Sequence, residues 1–138
     1  RTPQSLTAKF NSERNDNQNS YKVESWLLHH GEKLTSRFEL SAYKLMNHLL
    51  KTIGENTTEN DLQDFAKISP TKIHQIAVNS DYFFAPNENI KTHNLLSNLT
   101  KNLTYHEINS IHGHDAFLIE YERLNHILKT IFNTKQTH

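Results

Sequence analysis

The chain has 138 residues, enough for one ordinary domain with a single core, and its 15 Lys and Arg balance its 15 Asp and Glu. That balance, with no long run of one sign, gives no support to a nucleic-acid or anionic-membrane partner. The lack of Cys excludes a disulfide frame, a thiolate nucleophile and a cysteine-ligated zinc site; no apolar run reaches the roughly eighteen residues that span a bilayer and no basic-then-apolar leader opens the chain, so a soluble, cytoplasmic protein is expected.

Residues 1 to 20, which end in an asparagine-rich polar stretch, can bury almost nothing and read as an exposed loop. Val23, Trp26, Leu27 and His30 recur at helical spacing and predict a helix that ends near Gly31. A second helix should begin near Ser41, carry Tyr43, Met46 and Leu50 on a wide apolar face, and stop at Gly54. The short connection between the two suggests an antiparallel pair. Thr58 and Asp61 resemble a capping arrangement for a short helix through Leu62, Phe65 and Ala66 that ends at Ser69-Pro70. Ile73 to Val78 suits a strand, Asn89 to Leu99 a helix, Thr104 to Ile108 a second strand, and Phe117 to Phe132 a last helix. Alternating helices and strands of this kind make the terminal half of an α/β sheet. Two parallel strands are only an edge of such a sheet, so further strands are expected outside this chain.

Two segments carry chemistry. Asp81 follows the first strand in Ser80-Asp81-Tyr82-Phe83-Phe84-Ala85-Pro86, and His114 lies in the run Ile111-His112-Gly113-His114-Asp115-Ala116 after the second. An acid at a strand end followed by a His on the next loop suits an oriented general base, in the chain order of nucleophile, acid and His. No Gly-x-Ser-x-Gly elbow exists, because the only glycines are Gly31, Gly54 and Gly113. The chain is therefore expected to be the C-terminal piece of a larger enzyme, and not a competent catalyst alone.

In their order and spacing these motifs resemble the homoserine O-acetyltransferases and their acyltransferase relatives, within the α/β-hydrolase superfamily. Arg1-Thr2-Pro3 with Lys9-Phe10, Val23 to Leu27, Gly31-Glu32-Lys33 and Arg37 to Tyr43 resemble successive parts of the family's lid. Ser80-Asp81 with Phe84 and Pro86, then Gly113 to Leu118, are the most specific parts. Ala85, where the family often has Pro or an aromatic, and His74 and Gln75, in a strand usually more apolar, are departures that bear on packing.

The resemblance implies an α/β-hydrolase fold with a mostly parallel sheet. Residues 1–56 would be a helical lid inserted before the last two strands, and 57–138 the C-terminal part of the core. It implies ping-pong transfer of acetyl from acetyl-CoA, a cosubstrate, to the hydroxyl of L-homoserine in methionine biosynthesis. An upstream Ser would be the nucleophile, His114 the general base and Asp81 its orienting acid. Asp115 would meet the amino group of homoserine and Arg1 its carboxylate. No tightly bound cofactor is implied, and the lid would build a homodimer.

Plainer roles exist for each residue: Asp81 as a strand-end turn, Asp115 at a helix start, Arg1 as a solvated charge. Succinyl transfer, serine as acceptor, an esterase, and a non-catalytic dimerising remnant are the alternative readings. The ten His residues raise the question of a metal. His29 and His30 point roughly 100° apart on a helix, and His112 and His114 lack a third ligand at a recognised spacing, so no metal is expected.

Overall fold

The computed structural model of the protein describes residues 1–16 and 19–133; Asn17 and Gln18 of the expected polar loop lie outside them. The chain divides into two compact units, Leu6–Thr57 and a second formed by Arg1–Ser5 together with the chain from Thr58 onward.

The first residues are not a loop. Helix α1 covers Pro3–Phe10. Thr2 caps it by accepting a hydrogen bond from Ser5 N at 3.1 Å, and Pro3 at the first helical position supplies a preset φ and lacks only a donor that would have been unpaired there. Polarity pointed to solvent, but Thr2 and Ser5 are 4% and 1% exposed because their hydroxyls have partners.

Within Leu6–Thr57, α2 spans Lys22–Arg37 and α3 spans Leu40–Thr52. The predicted stop at Gly31 is wrong: α2 runs through it. A mid-helix glycine costs only about 1 kcal/mol relative to Ala, too little to end a helix flanked by good helix formers. Gly54, by contrast, has φ +75° and does close the turn after α3. No residue of α2 or α3 is buried, and Leu40, Tyr43, Leu45, Met46, Leu49 and Leu50 of α3 are all at least half exposed. The expected apolar face exists, but it has no cover within this unit. Phe10 and Trp26 pack ring on ring at 5.7 Å, with the Lys9 ammonium 5.0 Å from the Trp26 ring centre.

The second unit holds a parallel two-stranded sheet of β1 (Ile73–Val78) and β2 (Leu103–Ile108), in register from Ile73 opposite Leu103 to Val78 opposite Ile108. Helix α4 (Glu59–Ile68) precedes β1 and has the predicted cap, Thr58 accepting from Asp61 N at 3.2 Å and Asp61 accepting in return from Thr58 N at 2.8 Å. Helix α5 (Pro86–Ser97) makes the crossover and starts three residues before the expected Asn89, with Pro86 in its first turn.

Strand alternation sorts the side chains between two faces. Gln75 and Tyr105 face α5, where Gln75 Nε2 donates to Asn89 Oδ1 at 2.8 Å and the Tyr105 ring lies 5.7 Å from that of His93. Val78 and Ile108 lie on the other face and pack with Ala116, Leu124 and Ile127; Ile108 and Ala116 are 1% and 0% exposed. This α/β layer holds the core that positions the strand ends.

The expected single last helix is two elements. Gly113–Leu118 is a 3₁₀ turn, and α6 begins only at Tyr121 and runs to Phe132. Between them Ile119 and Glu120 leave helical geometry, with Ile119 N and Glu120 N both donating to Ala116 O. Of the buried face assigned to this helix, Leu124 and Ile127 do pack on the core, whereas Tyr121 is 66% exposed. No helix among the described residues is long and apolar enough to cross a membrane.

Candidate active site

The site forms where the loops after β1 and β2 meet at the carboxyl ends of the two strands. In open parallel sheets this is the usual place for a functional crevice, because helix starts and loop backbone groups converge there. Three successive residues of the first loop grip the second. Asn79 Oδ1 accepts from Ser110 N at 2.8 Å. Ser80 Oγ donates to Ser110 O at 2.5 Å and accepts from Gly113 N at 3.0 Å. Asp81 Oδ2 meets His114 Nδ1 at 2.8 Å.

Gly113 sits at φ +63°, and a Cβ there would lie 3.3 Å from Thr2 Cγ2 and 3.5 Å from Ser80 O. Backbone geometry and close approach both call for glycine at this position. The His loop is also held from Arg1–Ser5: Thr2 Oγ1 donates to Ile111 O, and Ser5 Oγ lies 2.7 Å from His112 Nδ1. His112 and His114 thus serve different partners.

Asp81 is 6% exposed, and both of its carboxylate oxygens accept hydrogen bonds. While Oδ2 meets His114, Oδ1 accepts from Phe83 N at 2.7 Å and Phe84 N at 3.1 Å. Burial pushes its pKa up, but the His114 hydrogen bond, the two backbone N–H groups and the charge on protonated His114 outweigh it and hold the carboxyl below its ordinary value of 3.8. An ionised Asp81 is acceptor only, so Nδ1 of His114 carries the proton and donates it. The tautomer this fixes leaves Nε2 as the basic nitrogen.

The imidazole is half-exposed and ringed by Phe83, Phe84 and Phe117 at centroid distances of 5.3, 5.4 and 5.5 Å. A cleft of about 270 Å³ opens beside it, with Ile76, Val78, Asp81, Phe84 and Phe117 in its walls. The arrangement can accept a proton at Nε2, hold the resulting imidazolium against Asp81, and do so beside an apolar wall that limits water.

All four residues singled out in the sequence fall in this unit, and they fall into two pairs. Asp81 and His114 are one. Arg1 and Asp115 are the other, with Arg1 Nε 3.2 Å from Asp115 Oδ2. Sequence reasoning quotes Thr2 and Ser80 only as motif members and passes over Ser5, Asn79 and Ser110; it assigns none of the five a role in holding the site. Thr2-Pro3 carried a readable helix-start signal. The ties made by the others had no such signal, because a Ser or Asn reveals a loop-to-loop bond only when the second loop is in place.

The chain is thus an α/β protein with an acid-oriented histidine at the carboxyl ends of parallel strands. No protein-family profile matches the chain. Curated proteins do. The chain is 35% identical over 116 residues to the homoserine O-acetyltransferase of Methanococcus vannielii, covering 83% of this chain and 23% of that protein. It is 32% identical over 132 residues to the homoserine O-acetyltransferase of Nostoc punctiforme (91% and 35%). It is 31% identical over 104 residues to the homoserine O-succinyltransferase of Hahella chejuensis (75% and 27%). The chain belongs to the homoserine O-acetyltransferase family, and it spans about a quarter to a third of the length of these relatives.

Proposed function

We propose that this chain carries the acid and base of an α/β-hydrolase-fold homoserine O-acetyltransferase that serves methionine biosynthesis in the cytoplasm. The nucleophilic Ser and the remaining strands are supplied by protein outside it. In the first half-reaction His114 Nε2 takes the proton of that Ser as its oxygen attacks the thioester carbonyl of acetyl-CoA. The coenzyme A sulfur leaves and receives the proton back. In the second, His114 Nε2 takes the proton of the homoserine γ-hydroxyl as that oxygen attacks the acyl-enzyme, and the proton passes to the departing Ser. Asp81 holds the ring in the productive tautomer and stabilises the imidazolium throughout. No tightly bound cofactor takes part.

The observation that carries this reading is the 2.8 Å contact between His114 Nδ1 and an Asp81 carboxylate whose other oxygen is fixed by two backbone N–H groups. Beside it, Arg1 and Asp115 set a cation and an anion side by side, complementary to the carboxylate and ammonium of an amino acid. The uncovered apolar side chains of α2 and α3 support a lid that pairs with a second copy in a homodimer.

The experiment is an assay of coenzyme A thiol release by the full-length protein containing this chain, with acetyl-CoA and L-homoserine. Release that depends on homoserine and is abolished by His114→Ala is expected. Release to water alone would indicate an esterase, preference for succinyl-CoA would make it a succinyltransferase, and no release with either donor would leave a non-catalytic module.

A further inference from the structure

We propose that Ser80 is a positioning residue for the Asp81–His114 pair, acting through the backbone of Gly113. Each member of the pair is immediately preceded by one member of a second, parallel tie. Ser80 comes before Asp81 and Gly113 before His114, and Ser80 Oγ accepts the Gly113 N–H at 3.0 Å while Asp81 Oδ2 meets His114 Nδ1 at 2.8 Å. A hydroxyl has one proton to give. That of Ser80 goes to Ser110 O at 2.5 Å, so its lone pairs are turned toward Gly113.

The bond fixes the orientation of the peptide that enters the 3₁₀ turn Gly113–Leu118, one residue before the imidazole. Gly113 cannot set that orientation alone, since at φ +63° a glycine is free to leave it. Nor can Asp81 alone do so, because one hydrogen bond to a half-exposed ring fixes a distance and not the approach of the backbone that carries it. Asn79 differs from Ser80: it ties the same loops, through Ser110 N and Asn109, yet makes no bond to the turn that carries His114. It is therefore the control.

The structural arm is read on the full-length protein containing this chain, without substrate, by proton NMR of the downfield signal of the His114 Nδ1 proton. Ser80→Ala is expected to broaden or erase that signal in a chain that still folds, whereas Asn79→Ala keeps it. An unchanged signal in Ser80→Ala, or equal loss in both variants, overturns the proposal. Should Ser80→Ala not fold, Ser80→Cys is read the same way: a weakened signal is expected and an unaltered one overturns it. The catalytic arm rests on the acyltransferase reading above and uses the full-length protein. There kcat should fall by about 10- to 100-fold with little change in KM for either substrate, the scale on which small misplacement of a reacting group acts. A rise in KM at unchanged kcat overturns it. A wild-type protein that transfers no acyl group would defeat the functional reading while leaving the NMR result to decide the role of Ser80.

Discussion

Asp81 and His114 stand thirty-three positions apart, yet Oδ2 of one and Nδ1 of the other are 2.8 Å apart. The parallel pairing of β1 with β2 brings the two strand ends level, Val78 opposite Ile108, and the loops that follow then need to travel only a few residues to meet. Replacing Asp81 with Asn keeps the shape but allows the wrong tautomer of His114. Turnover by the full-length protein should drop by about 10⁴-fold with the fold retained. A loss smaller than tenfold in the thiol-release assay would show that Asp81 does not orient the base.

The same pair ties stability to acid pH. Because the Asp81 carboxyl is held below 3.8 in the folded chain, the unfolded chain binds its proton first as pH falls. The contribution of Asp81 is thus present above the ordinary carboxylate range and is lost as pH drops through its depressed value. Urea midpoints measured from about pH 5 down to about pH 2 should fall in the wild type and fall less steeply in Asp81→Asn. Parallel curves would place the acid sensitivity elsewhere.

Asp115→Ala should separate the two half-reactions. Its carboxylate is part exposed and bonded to Arg1, and it is not a partner in the Asp81–His114 hydrogen bond. Formation of the acyl-enzyme from acetyl-CoA is expected at a near-normal rate, with KM for homoserine raised about 10-fold or more, as for loss of a charge-assisted hydrogen bond. Equal damage to both steps would make Asp115 a structural residue.

Gly113→Ala tests the backbone. The left-handed conformation costs a non-glycine residue about 1 to 2 kcal/mol, and the added Cβ would press on Thr2 Cγ2 at 3.3 Å. Denaturant titration should show a loss of at least that size, and a neutral result would mean the loop relaxes to another shape.

Tyr105 offers a check far from the site. Burial, followed by its 2.8 Å hydrogen bond to Glu107, pushes its pKa up to about 12. Stability is then complete below the ordinary value of 10.0 and declines as pH rises toward about 12, where the unfolded chain has already lost the proton. Glu107→Gln should lower the value seen by ultraviolet titration while leaving it above 10.0, and an unmoved value would assign the whole shift to burial.

Much of the layout was legible in the sequence because it depends on neighbours along the chain. The β-branched run Ile73–Val78 formed its strand, Thr58 and Asp61 formed their cap, and Gly54 closed its turn. The errors also have local causes. Gly31 reads as a stop although a helix tolerates one glycine, and Thr2 and Ser5 read as solvated although their hydroxyls are spent on the His loop. The break at Ile119 and Glu120 was invisible, since the apolar spacing of Phe117 to Phe132 continues across it.

The order of residues along the chain supplies the chemistry: an acid after one strand, a His after the next, and a glycine beside it that can take a positive φ. How these groups are used depends on the folded arrangement. It spends both oxygens of Asp81, brings Arg1 across to Asp115, and makes Ser80 and Thr2 into ties between loops. A hydrogen bond between residues thirty or a hundred positions apart leaves no periodic trace in the chain. It exists only once strand pairing has removed the entropy of bringing the two loops together.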